Sequence, residues 1–113
     1  MAELVVQEIL LTGLAPAYSA AAVGGDYFVN DGKTMLEVRN ASGAPVNVTV
    51  ASPQNCDQGA NHPLVIAVPA TIGQRMIGPF LRRRFNDANG RVQVTYSGVT
   101  TVTVAAVKLD DGV

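Results

Sequence analysis

Between residues 90 and 109 apolar and polar positions alternate in two successive runs. Val92, Val94 and Tyr96 interleave with Arg91, Gln93, Thr95 and Ser97, and further on Val102, Val104 and Ala106 interleave with Thr101, Thr103 and Ala105. A period of two puts every second side chain on one face of an extended chain, so each run predicts a strand with one buried face. Ser97, Gly98 and Val99 lie between the runs. Glycine tolerates a positive φ, and the spacing predicts a turn that folds the two strands into an antiparallel hairpin.

The same alternation recurs upstream. Residues 26–29 predict a short strand, and Asn30, Asp31 and Gly32 predict the turn after it. In residues 34–40, Leu36 and Val38 point inward while Met35, Glu37 and Arg39 point outward. Ser42, Gly43, Ala44 and Pro45 then turn the chain into residues 46–51, where Val46, Val48 and Val50 alternate with Asn47, Thr49 and Ala51. Residues 52–63 are polar and predict a surface loop. Residues 64–68 and 74–77 predict two more apolar strands, closed by Pro69 and by Gly78 with Pro79. From 80 to 85, Phe80, Leu81 and Phe85 flank three arginines, a spacing that predicts one helical turn pinning both rings at the core edge. Asn86, Asp87, Asn89 and Gly90 turn the chain into the first run described above.

Residues 2–11 break the rule of one apolar face. Leu4, Val6 and Leu10 fall on one side of an extended chain, and Val5, Ile9 and Leu11 on the other with Gln7. The β-branched Val5, Val6 and Ile9 favour a strand over a helix. A strand apolar on both faces needs two covers, and the second is expected to be another copy of the chain. Residues 1–14 are therefore expected to be an N-terminal arm or first strand. Residues 15–25, punctuated by Pro16, Gly24 and Gly25, predict a loop with one short strand around 18–22. The total is eight or nine short strands. It predicts an all-β fold: an antiparallel two-sheet sandwich, jelly-roll-like, over residues 15–109, with an extended N-terminal arm and a flexible tail at 110–113. An immunoglobulin order would want a buried tryptophan and a cysteine pair, and the chain has no tryptophan and one cysteine.

Composition narrows the function more than the fold. At 113 residues there is room for one core. Hydrophobic residues make up 48% of the chain but aromatics only 5%, which suits thin sheets of β-branched side chains. The net charge of −1 gives no general attraction to nucleic acid or an anionic membrane, so neither is expected as a partner. No run approaches the ~20 apolar residues of a membrane-spanning helix. Glu3 stands where a signal peptide carries positive charge, so synthesis is expected in the cytoplasm.

Candidate chemistry is sparse. Cys56, Asp57 and His62 share one loop, but a structural zinc site wants four ligands and a cysteine nucleophile wants a base, an orienting group and an oxyanion hole. No catalytic residues, metal or cofactor are expected, and an enzyme is not. Asn40–Ser42 and Asn47–Thr49 match the glycosylation acceptor by chance, and Asp110, Asp111 and Gly112 lack the ligands that complete a calcium loop. Arg82, Arg83 and Arg84, with Arg75 and Arg91, gather five of the eight cations into one region. Guanidinium groups suit interfaces, and the reading preferred is pairing with acidic groups on a protein partner. Phosphate binding with base stacking on Phe80 and Phe85 is the weaker alternative, because an aromatic-poor chain needs both rings in its core. The candidate protein-interface residues are thus Leu4, Val5, Val6, Ile9, Leu10, Arg82, Arg83 and Arg84.

The run Gly78, Pro79, Phe80, then Phe85, Asn86, Asp87, then Gly90 to Tyr96, ending Val102, Thr103, Val104, Ala105, Ala106, Val107, resembles the head decoration, or cement, proteins of tailed bacteriophages. The similar region covers about residues 32–109. The resemblance implies a non-enzymatic virion protein on the capsid surface. Its partner would be the assembled major capsid protein, it would self-associate as a homotrimer, and it would strengthen the shell against internal pressure. Two alternatives stand beside it: a tail, neck or fibre component, and a carbohydrate-binding β-sandwich, although sugar sites usually present exposed aromatic rings.

Overall fold

The computed structural model describes residues 1–53 and 62–109. Ten strands and one helical turn follow in order: β1 (Ala2–Glu3), β2 (Gln7–Ile9), β3 (Ser19–Ala20), β4 (Asp26–Val29), β5 (Thr34–Asn40), β6 (Val46–Val50), β7 (Leu64–Val68), β8 (Gly73–Ile77), α1 (Arg82–Phe85), β9 (Arg91–Tyr96) and β10 (Val102–Leu109). They form two five-stranded sheets. One runs β1-β4-β9-β6-β7; the other runs β2-β10-β5-β8, with β3 also paired to β10. Only the β2–β3 and β6–β7 links stay within one sheet, so the chain stitches the two layers together along its whole length.

The apolar positions predicted to face inward on β5, β6, β9 and β10 are buried, although Glu37 and Ala105, on the other face, are buried as well. Val46, Val48 and Val50 on β6, Val92 and Val94 on β9 and Phe28 on β4 face Leu36 and Val38 on β5 and Val102, Val104 and Ala106 on β10 across a single core. Phe80 and Phe85 are buried as predicted. With Phe28 they make a chain of three rings, centroids 5.7 and 5.4 Å apart, and such tilted and edge-on pairs add to the area they bury.

Two expectations are corrected. The runs at 91–96 and 102–109 do not pair as a hairpin: β9 lies between β4 and β6, whereas β10 lies between β5 and the β2/β3 edge of the other sheet. After Tyr96 the chain is still bound to β6, because Ser97 N donates to Asn47 O and Ser97 Oγ accepts from Asn47 N. It then turns over the core through Thr101 at φ 52°. A period of two reports that one face is buried, but both layers of a two-sheet core present that face, so periodicity does not choose the partner. The second correction concerns direction. The sheets are mixed, since β1 runs parallel to β4 and β2 parallel to β10.

Polar hubs fix the corners. Asn40 is buried at the end of β5. Its Nδ2 reaches Ala44 O at 2.9 Å, Pro69 O at 3.1 Å and Val68 O at 3.2 Å, while its Oδ1 accepts from Ser42 N and Ser42 Oγ. The amide is thus consumed by the fold, which removes Asn40 as a glycosylation acceptor. Gly73 completes this corner: a Cβ there would sit 2.6 Å from the Pro69 carbonyl carbon and closer still to its oxygen, so only glycine fits. In the same link Thr71 holds φ 73°, a left-handed conformation that a β-branched residue adopts at a cost. Thr71→Asn, which tolerates that region, is expected to raise stability by about 0.5–1 kcal/mol; a chemical-denaturation midpoint that falls would contradict it.

At the opposite corner Asn30 and Asn86 exchange amide hydrogen bonds. Asn30 Nδ2 donates to Asn86 Oδ1 at 2.7 Å and to Phe80 O at 3.0 Å, and Asn86 Nδ2 donates back to Asn30 O. This pair docks the α1 turn onto the β4–β5 turn. On the core side of β4, the Tyr96 hydroxyl donates to buried Asp26 Oδ2 at 2.8 Å. Burial, reinforced by that bond and by the Asp26 charge, raises the phenol far above its ordinary pKa. The folded state therefore keeps the proton that an unfolded tyrosine gives up at about pH 10. The contribution is whole below that pH and is lost as pH rises above it. Urea melts between pH 8 and 11.5 are expected to show stability falling above about pH 10, less steeply in Tyr96→Phe; identical slopes would contradict this.

Candidate interaction surface

The N-terminal segment is the point at which the two sheets meet. Ala2 N donates to Gly25 O and Leu4 N to Tyr27 O, which seats β1 on the edge of the first sheet. Leu4, only 6% exposed, then enters the shared core. The chain crosses to the second sheet through Val5, 81% exposed, and Val6, which packs against the core. There β2 pairs with β10, with Gln7, Glu8 and Ile9 opposite Val107, Lys108 and Leu109. The expected single strand over residues 2–11 is therefore two short ones in different sheets. Leu4 packs in the core and does not stand exposed beside Val5.

Polar contacts hold β2 down. The Gln7 side chain clasps the Ala17 backbone, its Nε2 donating to Ala17 O and its Oε1 accepting from Ala17 N, both at 2.9 Å. Lys108 Nζ lies 3.6 Å from Glu8 Oε1 and 3.4 Å from Asp31 Oδ2. Beyond this point Gly13 N donates to Leu10 O and the chain turns back. The clasp brings residues 16–18 over the outer face of the second sheet. The Tyr18 hydroxyl donates to Glu37 Oε1, and the Arg39 guanidinium stacks 4.1 Å from the Tyr18 ring centroid while its Nε lies 3.4 Å from Glu37 Oε1. Burial first, then the Glu37 contact, pushes the Tyr18 phenol up. Glu37 points outward as predicted, yet it is buried, because Tyr18 covers it.

Beside exposed Glu3, Glu8 and Thr12, this packing leaves several apolar side chains in water. Ile9 and Leu10 are exposed, Leu11 is 86% exposed, and Leu109, opposite Ile9, is exposed as well. With Val5 they form a greasy margin along the β2 side of the molecule. Val5, Ile9 and Leu10 were legible as interface candidates. Leu11 and Leu109 join them for a reason the alternation does not carry: the parallel register that brings the end of β10 beside β2.

The arginines are divided. Arg82, Arg83 and Arg84 share α1, but Arg75 lies on β8 in one sheet and Arg91 on β9 in the other, with its guanidinium 4.9 Å from the Tyr27 ring centroid. Arg84 donates to His62 O at 3.1 Å and lies 4.6 Å from the Phe85 ring centroid, so it is occupied within the fold. The side chains of Arg82 and Arg83 have no hydrogen-bond or ion-pair partner among the described residues, and exposed Leu81 adjoins them. The one acid of the region, Asp87, is committed elsewhere. Burial opposes its charge, but hydrogen bonds from Gln93 Nε2, Arg91 N and Asn89 N outweigh it and hold the carboxyl below its ordinary range.

No family model, curated protein or solved structure matches the chain. Among the described residues no three His, Cys, Asp or Glu side chains lie close enough to share a metal ion, and no helix is long and apolar enough to cross a membrane. Cys56 and Asp57, like Asp110, Asp111 and Gly112, lie outside the described residues. Large apolar side chains stand in water elsewhere too, Ile72 and Val23 among them; two features bear on the candidate interface residues, the exposed apolar residues around β2 and the guanidinium pair of Arg82 and Arg83 on α1. Both are suited to contact with protein: one by removing apolar area from water, the other by pairing with carboxylates.

Proposed function

We propose that this protein is a capsid decoration protein of a tailed bacteriophage. It binds the outer surface of the assembled major capsid protein shell, self-associates as a homotrimer and stabilises the particle, and its place is the virion surface. Its two sheets are read as a jelly-roll-like sandwich. The observation that carries this reading is the exposed row Val5, Ile9, Leu10, Leu11 and Leu109 on one margin of an all-β domain. Exposed apolar side chains gathered near one strand pair suit a contact site, and a strand edge suits both sister copies and a shell. The molecule measures 39 × 36 × 20 Å, a plate that lies flat on a large surface with modest protrusion. Arg82 and Arg83 offer a second contact for acidic groups on the shell. A ligand that binds only the assembled shell stabilises it by mass action, and three linked copies gain from several modest contacts at once. No chemical step is involved.

A density map of intact particles tests this. Copies are expected on the outer face of the shell, with the β2 margin and α1 turned towards protein. Finding the protein at the tail, or missing from purified particles, would contradict the reading.

A further inference from the structure

We propose that β2 is exchanged between copies: Gln7–Ile9 of one chain leaves its own β10 and pairs with Val107–Leu109 of the next, in the same register. The inference rests on the self-associating protein proposed above and names how the copies hold one another.

The receptor for the strand is already defined. The edge of β10 accepts this segment with Gln7 opposite Val107 and Ile9 opposite Leu109, and Lys108 meets Glu8. Every copy carries both the strand and its receptor, so a second copy is the occupant whose fit is known in register and charge. The strands that hold the segment within one chain are short, and its other ties are the Gln7 clasp on Ala17 and the Glu8–Lys108 pair. β1 and β2 have two and three residues, and Leu4 is the one side chain of the segment sunk into the core. Exchange remakes these contacts in the neighbour and so costs little contact energy.

The link that would open is suited to it. Residues 10–17 contain Gly13 at φ 99°, with nothing near the position of a Cβ. Straightened, eight residues span roughly 26–29 Å, so the receiving β10 edge must lie within that distance of residue 18 of the donating chain. The exchanged form also gains something new. Leu10 and Leu11, in water within a single chain, lie on the segment that runs between copies and are covered there. Passing the strand around a ring satisfies every β10 edge and closes the assembly.

The test uses full-length chains with Cys56 replaced by serine. One carries Ile9→Cys and the other Leu109→Cys; both positions are exposed, and adjacent strand partners are within disulfide reach. The two are unfolded, mixed in equal amounts, refolded and oxidised. Exchange predicts a covalent heterodimer on a non-reducing denaturing gel, with roughly half of the Ile9→Cys chains linked by random mixing around a ring. The double variant provides the control and is expected to give covalent multimers. If the single variants do not link while the double variant closes a disulfide inside one chain, exchange is overturned. Light scattering of the unmodified protein then separates the two claims: an oligomer means that only the exchange fails, and a monomer means that self-association fails with it.

Discussion

Asn40→Ala is expected to destabilise the fold by about 3–4 kcal/mol, read from the urea-denaturation midpoint at pH 7. The side chain is fully buried and spends all of its hydrogen-bonding capacity on the corner where β5, the β5–β6 turn and the β7–β8 link meet. Alanine leaves the carbonyls of Val68 and Pro69 and the amide of Ser42 short of a partner in a place where water does not replace it easily, while Ala44 O keeps the Ser42 hydroxyl. Each such loss costs about 1–3 kcal/mol, though not additively. Asn40→Asp is expected to do no better, because it keeps the acceptor and loses both donors. Ser42→Ala, which removes one contributor at the rim of the same network, is expected to cost about 1 kcal/mol. A loss under about 1 kcal/mol for Asn40→Ala would mean that the corner is held by its backbone alone.

The second large effect separates two leucines seven residues apart. Leu4→Ala is expected to cost about 2–4 kcal/mol of stability, since it opens a cavity between the sheets at the point where β1 hands over to β2. Leu11→Asp is expected to leave the stability of a single chain within about 0.5 kcal/mol, because Leu11 is bathed in solvent. The same change is expected to abolish association, by placing a charge on the apolar margin. Denaturation and sedimentation of the two variants measure both quantities. If Leu11→Asp associates as the parent does, the margin is not the contact.

Much of this architecture is legible in the alternation of side chains. The strands over 34–40, 46–50 and 91–96 occur where apolar residues recur every second position, those over 26–29 and 64–68 where short apolar runs end at turn residues or proline, and the α1 turn forms where Phe80 and Phe85 bracket three arginines. Partner choice is not legible in the same way. Val92 and Val104 carry the same signal and end in opposite layers, because either layer satisfies a strand with one apolar face. The N-terminal segment hid its geometry for a related reason. Its two apolar faces suggest a strand needing two covers, yet the chain changes sheet at Leu4–Val6, so each short piece meets a different neighbour. The buried amides of Asn30 and Asn40 gave no periodic signal, since they look like ordinary turn asparagines until the carbonyls around them are placed.

If the exposed apolar edge around β2 is what this protein uses to cover other protein surfaces, sedimentation equilibrium of the full chain across a wide concentration range gives a trimer that reverts to single chains on Leu11→Asp. A species of monomer mass at the highest concentration, unchanged by that substitution, would contradict it.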